Sequence, residues 1–428
     1  MQFTFTRPDF GAVTVPDDAC LGAYAPSESS NARADVGELI EVGMESPIGA
    51  PPLEEIARRG QKTVILVDDN TRVTPTASIL PGILRRLSRC GIPKKDVRLL
   101  VATGTHRAMT IEEKRAKYGD CVCGSYQVVD HEWDNPAAMA DLGTTANGTR
   151  VIVNKIALEA DLLIGVGHIV PHRVPGFGGG GKIVQPGVCG AITTGQTHWL
   201  SAQYDSYEIM GKRDNPVRVE IDTVASMVGL DYLFNAVLDR RGRMVRLLAG
   251  DFVEAHRVGC RVSESVFGVN VPCEADIVVS EAYPSDLDLW QAVKGLFAAD
   301  CLVRRGGVII LVAGLEEGVS HQHPVVEATG YHGAREIQSM VDRGELPDMT
   351  VAAHLMHVGR IIVDRAKTIL VSKGLDRATT EGLGFVYAEN AASAICLARD
   401  VVGADAKIAF LSNGGEILPI VRQQERIR

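Results

Sequence analysis

Unbroken apolar runs alternate along this chain with segments whose apolar positions recur every three or four residues. Thr63-Val-Ile-Leu-Val67 is apolar without alternation, the pattern of a strand buried on both faces. It ends in Asp68-Asp-Asn-Thr-Arg-Val-Thr-Pro75. A helix follows through about Cys90, with Ile79, Leu80, Ile83, Leu84 and Leu87 on one stripe. Val97 to Ala102 reads as the next strand, closed by Thr103-Gly-Thr-His106. The helix after it starts near Thr110, where Thr110-Ile-Glu-Glu113 has capping-box spacing. Asp161 to His168 is a third such strand, and Arg213 to Leu230 reads as helix. A further strand lies near Phe3 to Phe5. Strand, loop and helix repeating at this spacing predict a parallel α/β sheet.

The second half repeats the pattern. Pro272 to Ser280 reads as a strand reaching Glu281-Ala-Tyr-Pro-Ser-Asp286, and Asp288 to Leu302 as a helix. Gly307 to Val312 is a strand, Glu327 to Gly344 a helix, and Ile361 to Ala366 and Thr368 to Ser372 strand or strand-helix material. Thr380 to Val401 reads as helix and Ala406 to Leu411 as strand. The fold class is therefore α/β with two α/β domains. Residues 1–267 form the N-terminal domain, completed by 404–428, and residues 268–403 form the C-terminal domain.

Composition removes several classes of function. The formal charge of -9 at pH 7 argues against a broad nucleic-acid footprint. No apolar stretch approaches the roughly 20 residues that span a bilayer, and no basic segment followed by an apolar one marks a secretory signal. Nine cysteines are scattered at odd number and wide spacing, which opposes a disulfide scaffold and fits a reducing cytoplasm. Cys121-Val-Cys123 is too closely spaced for a structural zinc knuckle. In a strand the two thiols would share one face.

The candidate chemistry collects at strand ends. Open α/β sheets bind ligands beyond the carboxyl ends of their strands, which places Asp69, Arg72, His106, His168 and His172 on one rim. Val170-Pro-His-Arg-Val-Pro-Gly-Phe-Gly-Gly-Gly-Gly-Lys182 then presents a lysine after a glycine run, between His172 and His198. Such a run suggests close backbone approach to a bound group, because glycine costs folding entropy. Gly176 to Lys182 has Walker-loop spacing. Ile183 stands where a magnesium-binding Ser or Thr is needed, and Pro186 blocks a simple helix continuation, so an NTPase is disfavoured. His168 and His172 flank a proline and do not form the His-Glu-x-x-His helix of a zinc hydrolase. Arg72 and Lys294 suit an anion. His106 and His172 suit an acid–base pair, and His198 a transition metal. Few carboxylates accompany these histidines, so most ligands of such a metal would come from something other than protein.

Taken together, Asp68-Asp-Asn-Thr-Arg-Val-Thr-Pro75, Gly104-Thr-His-Arg107, Gly167-His-Ile-Val-Pro-His172, Gly176 to Lys182, Gly195-Gln-Thr-His198 and Tyr283-Pro-x-Asp286 with Gln291 and Lys294 resemble the nickel-pincer lactate racemase family. The motifs keep the family's order and span most of the chain. The resemblance implies an active-site cleft between two α/β domains, the first binding the cofactor. That cofactor would be a nickel-pincer nucleotide, pyridinium-3-thioamide-5-thiocarboxylic acid mononucleotide, carrying Ni2+. It would be supplied by cofactor-biosynthesis enzymes. Lys182 matches the lysine linked to the cofactor and His198 the nickel-binding histidine. His106 and His172 match the paired catalytic bases. Arg72, Gln291 and Lys294 match substrate-holding residues, and Asp69, Asn70 and Thr71 fall beside the cofactor. The implied reaction inverts C2 of a small 2-hydroxy acid by reversible hydride transfer.

The departures bear on substrate. Trp290 stands where the lactate enzymes have tyrosine, and His354 and His357 lie in a segment that does not match a family tryptophan. An indole beside the substrate predicts a side chain larger than lactate's methyl, or a sugar acid. Two other classes stay open at this point: a catalytically altered binding protein of the same fold, and a 2-hydroxyacid dehydrogenase.

Overall fold

A computed structural model describes residues 1–28 and 35–421. The chain divides into two compact units, one of residues 28–200 and 212–266, the other of residues 1–27, 201–211 and 267 onward. The first unit is built on a six-stranded sheet. Its strands are β1 (Thr63–Asp68), β2 (Val97–Ala102), β3 (Gln127–Asp130), β4 (Leu162–His168), β5 (Tyr232–Leu238) and β6 (Met244–Gly250). Their order is β6-β5-β4-β1-β2-β3, parallel throughout except for the β5–β6 hairpin.

Every residue of β1 is buried, as its unbroken apolar sequence requires. Ile65 and Val67 pack on one face with Ile79, Leu80, Ile83 and Leu87 of helix α1 (Thr76–Arg89). Val64 and Leu66 pack on the other face with Ile183, Val184 and Val188, and with Val224, Ala225 and Val228 of a later helix. The chain runs from β1 outward to β2 and β3, then returns to β4 on the opposite side of β1. The connections after β1 and β4 therefore cover opposite faces, which opens a crevice beyond the carboxyl ends of these two strands. Helix α2 (Ile111–Tyr118) starts at Thr110 with the capping box legible in sequence.

The second unit holds another six-stranded sheet, entirely parallel. Its strands are β7 (Ala275–Glu281), β8 (Val303–Ala313), β9 (Lys367–Ser372), β10 (Val386–Ala388) and β11 (Ile408–Leu411), with Cys20–Tyr24 at the edge beside β11. The order β10-β9-β8-β7-β11 reverses direction between β7 and β11, a second switch point. Phe3, from the Gln2–Thr4/Ala12–Thr14 hairpin, stacks on Phe410 at 4.7 Å and extends this core.

The division differs from the sequence-based one at both ends. Residues 1–27 and β11 belong to the second unit, because β11 fills the place between β7 and Cys20–Tyr24. Residues 422–428 of the expected completing segment lie outside the described residues. Ile361–Ala366, expected as strand material, begins as the end of the helix Met349–Ile362. The expected helices 327–344 and 380–401 are each interrupted, the first at Gly330–Gly333 and the second by β10. Cys121 and Cys123 sit on the short helix Asp120–Ser125 rather than on one face of a strand. Among the described residues no helix is long and apolar enough to cross a membrane.

Two buried histidines make stability depend on pH. Burial, with the charges of Arg218 and Arg257, pushes the His256 imidazolium well below its usual range, and burial pushes His354 down to about 3. Both folded values are depressed. Their contribution is therefore complete above the unfolded value of about 6.5 and is lost as pH falls toward the folded values. Each ring should cost about 1.4 kcal/mol at about pH 5.5. Urea unfolding should show both units losing stability between about pH 7.5 and about pH 5.5. His354→Phe and His256→Leu should each flatten that slope by one proton. Slopes identical to wild type in both variants would contradict the assignment.

Candidate active site

The crevice of the first unit is organised by Asp68 and Asp69 at the end of β1, both almost fully buried. Asp68 accepts from the Thr74 hydroxyl and pairs with Lys117 at 3.3 Å. Thr74 has one hydroxyl proton and gives it to Asp68. The 2.8 Å contact between Thr74 Oγ1 and His168 Nδ1 is therefore donated by the ring. Lys117 also donates to the carbonyls of Arg72 and Thr74, at 2.5 and 3.0 Å. The Asp69–Thr74 loop that carries Arg72 is thus pinned from α2. Sequence reasoning missed Lys117. Its only signal was a lysine near the end of a polar helix, which reads as surface.

Asp69 accepts from His106 Nδ1 at 2.7 Å and from the Thr71 amide and hydroxyl at 3.1 and 2.5 Å. Burial pushes its carboxyl up. The hydrogen bond and charge of His106, the charge of Arg72 and the Thr71 hydroxyl outweigh this and hold it below the usual range. Asp69 is therefore an ionised acceptor that fixes the proton of neutral His106 on Nδ1 and leaves Nε2 as the basic nitrogen. Arg72 Nη1 lies 3.3 Å from Thr71 Oγ1. Asn70 is exposed and donates to Glu113 at 2.9 Å, which also pairs with Arg107. Its side chain is thus engaged with α2, where the sequence placed it beside a cofactor.

His172 lies on a two-residue antiparallel pairing, opposite Gly176. Its Nδ1 accepts the Val174 amide at 3.0 Å, so its proton sits on Nε2, the reverse of His106. The glycine run is buried, not an open surface loop. Gly179 and Gly180 have φ of 74° and 62°. A Cβ on Gly179 would lie 2.5 Å from Asn235 Oδ1, and one on Gly180 2.8 Å from the His256 ring. Protein packing therefore already requires glycine at these two positions, whatever close approach to a bound group the run also serves. Lys182 follows in the short turn Gly180–Ile183 and is half-buried.

Helix α3 (Ala191–Ala202) carries His198. Gln185, wholly buried, donates to Thr197 Oγ1 at 2.5 Å and ties the segment after Lys182 to this helix. His198 Nδ1 donates to the Thr194 carbonyl at 2.8 Å, which makes Nε2 the lone-pair nitrogen. A carbonyl on one ring nitrogen is the usual support for a metal on the other. Among the described residues no group of three or more His, Cys, Asp or Glu is gathered for a metal. One oriented imidazole, on the helix tied to the segment after Lys182, suits a nickel centre whose other donors arrive with its cofactor.

In the second unit the matched residues follow β7. Asp288 caps the turn Leu289–Ala292 by accepting the Gln291 amide at 2.8 Å. Lys294 opens the next helix, Lys294–Asp300, so the expected single helix is interrupted at Val293. Trp290 stacks on His323 at 4.1 Å and on His354 at 3.9 Å between ring centroids. Two rings at such distances cannot share one face, so the indole is sandwiched. Its faces are covered by protein, where the sequence reading expected an indole beside the substrate. Its edge is what stays uncovered by these rings.

Comparison with known proteins agrees with this architecture. Residues 10–209 match the lactate racemase N-terminal domain and residues 270–418 the lactate racemase C-terminal domain. The chain is 36% identical over 283 residues to lactate racemase of Lactiplantibacillus plantarum, a match spanning 66% of each chain. It is 29% identical over 422 residues to that of Thermoanaerobacterium thermosaccharolyticum, covering 96% of this chain and 97% of the relative. The lactate racemase apoprotein structure from the latter organism superposes with a TM-score of 0.85 at 28% identity over 96% and 97% of the two chains. A Thermotoga maritima protein shares the fold, with a TM-score of 0.72 at 22% identity over 90% and 98%. The fold and motif order are those of a two-domain α/β racemase family. The chain belongs to the lactate racemase family.

The ring contacts predict opposite tautomers. Nitrogen-15 spectra of neutral protein should place the proton of His106 on Nδ1 and that of His172 on Nε2. Asp69→Asn should remove the preference at His106 and leave His172 unchanged. The same tautomer on both wild-type rings would contradict the assignment.

Proposed function

We propose that this chain is a nickel-dependent racemase or epimerase that inverts C2 of a 2-hydroxy acid, with a nickel-pincer nucleotide linked at Lys182 and its nickel bound by His198. The observation that carries the reading is the Asp69–His106 pair at 2.7 Å, set at the switch point of a parallel sheet in a chain of this family. When bound, the nucleotide supplies a reversible hydride acceptor. The residues of this chain supply binding and proton transfer.

Arg72, on a loop held by Lys117 and Asp69, grips the substrate carboxylate through its forked donors. His106 takes the hydroxyl proton on Nε2, and ionised Asp69 stabilises the imidazolium that forms. His172 addresses the same oxygen for the opposite enantiomer, exchanging its Val174 contact for a proton when it serves as acid. Lys294 and Gln291 add substrate contacts. Asp69 and Thr71 act through His106 and Arg72 beside the cofactor. With the faces of Trp290 covered, lactate, named in both relatives, becomes the first substrate of this proposal, ahead of a bulkier acid. Nine free cysteines support a reducing cytoplasmic setting for the enzyme and for the biosynthetic partners that load it.

The test is direct. Protein produced with cofactor-biosynthesis enzymes should convert either pure enantiomer of lactate to the racemate without added nicotinamide, as read by chiral chromatography. His106→Ala should lower kcat/KM by about 100-fold or more. His198→Ala should lose nickel by elemental analysis, whereas His106→Ala retains it. The added mass should lie on the Lys182 peptide. Keto-acid accumulation only with added NAD would replace this reading with a dehydrogenase.

A further inference from the structure

The Lys182 loop is gripped by side chains that no part of the reaction uses. Helix α4 (Pro216–Val228) and helix α5 (Glu254–Phe267) pack behind it, with β5. The Phe177 carbonyl accepts from Arg218 Nη2, the Gly178 carbonyl from His256 Nε2 at 2.9 Å, and the Gly179 carbonyl from Arg218 Nη1 at 3.2 Å. The Gly180 amide donates to Asn235 Oδ1 at 2.8 Å. Four successive residues are thus each bound through one backbone group, two residues before Lys182.

The supporting side chains are themselves fixed. Arg257 Nη1 donates to His256 Nδ1 at 3.0 Å, and arginine has no acceptor. His256 must therefore carry its proton on Nε2, where it meets the Gly178 carbonyl. Burial beside two guanidinium groups keeps the ring neutral. Asp222 joins Arg218 at 3.5 Å and Arg257 at 2.8 Å. Arg218, Asp222 and Ala225 fall on one face of α4, and a Cβ on Gly181 would lie 2.9 Å from Asp222 Oδ1.

This arrangement is expensive for a fold to keep. Arg218 is wholly buried, and its Nε has no hydrogen-bond partner among the described residues. Burial lowers its pKa, so the charge is held against its preference. An apolar side chain of similar size would fill such a site at less cost. What it could not do is hold two carbonyls two residues apart, those of Phe177 and Gly179, in fixed directions.

We propose that Arg218 and His256 are positioning residues that preset the Phe177–Gly180 backbone and thereby aim the Lys182 amine for cofactor attachment. The attachment step rests on the functional reading above. The preset loop does not.

The experiment uses full-length protein without cofactor, labelled with limiting acetic anhydride and read by peptide mass spectrometry against exposed Lys62 and Lys95. Arg218→Met and His256→Leu should each raise relative labelling of Lys182 by about tenfold as the loop loosens. His256→Gln, which returns an N–H to the Nε2 position, should stay within about twofold of wild type. In protein produced with the biosynthetic enzymes, the first two variants should lose most of the added mass at Lys182 while circular dichroism stays native. Native circular dichroism with unchanged labelling in both would overturn the proposal. Wild-type protein with no mass on Lys182 would sink the attachment reading alone, since labelling still reports on the loop. Hydrogen exchange of wild-type 177–184 needs no variant. Slow exchange at Gly180 supports a preset loop, and exchange at the rate of an unstructured peptide overturns it.

Discussion

Two adjacent carboxylates at the end of a fully buried strand must find donors, and the first unit is arranged around that demand. Asp68 and Asp69 leave water when β1 takes its central place in the sheet. An unpaired buried carboxylate costs several kcal/mol, on the order of a large share of a domain's stability. Strand alternation sends neighbouring side chains in different directions. Asp68 is met by Thr74 and Lys117, with His168 behind Thr74, while Asp69 is met by Thr71 and His106. The same contacts that settle these charges close the loop bearing Arg72 and orient two imidazoles from neighbouring strands. Stability and site geometry are here one set of bonds.

The glycine run follows a different constraint. Its segment lies between the sheet, α4 and α5, and there is no room for Cβ atoms at Gly179 and Gly180. Backbone serves this segment only in part, the Gly178 amide donating to the Val170 carbonyl and the Lys182 amide to the Gly179 carbonyl, and the remaining peptide capacity must be met. Side chains must do it, which is why Arg218, His256 and Asn235 are all wholly buried. Flexibility, the property usually read into consecutive glycines, is absent from this packing.

In the first unit β1, β2 and β4 and the helices α1, α2 and α4 were legible, because burial on both faces leaves an unbroken apolar run, as in β1, and because the Thr110–Glu113 box is a local signal, whereas β3, β5, β6, α3 and α5 were not read. The gathering of Asp69, Arg72 and His106 at one sheet edge was legible too. Less legible were features that depend on distant partners. β11 reads as a strand from its own residues, but its place beside β7 is a tertiary fact. β10 was hidden in an alanine-rich stretch whose composition favours helix. Asn70 sits in the middle of a matched motif, yet its partner Glu113 is forty-three residues away. Trp290 illustrates the same limit, since the sequence gives an indole next to Gln291 and says nothing of the two imidazoles that cover it.

The Asp68–Asp69 rim and the surroundings of Trp290 settle buried polar groups in contrasting ways, and the contrast follows from what each position asks. Around Asp68 and Asp69 the groups stay charged and are surrounded by donors. Beside Trp290, His354 is kept neutral by burial, takes Tyr331 Oη on its Nε2 at 2.9 Å, and offers the indole a flat uncharged face. A neutral ring stacks without the desolvation cost of an imidazolium, so His354 holds one face of the indole while placing no net charge on it. Charge is kept where a carboxylate and a proton are to be handled, and excluded where an aromatic plane only needs a fixed orientation. That distribution, more than any single residue, is what makes the first unit the place to look for proton transfer and the segment after β7 the place to look for recognition of shape.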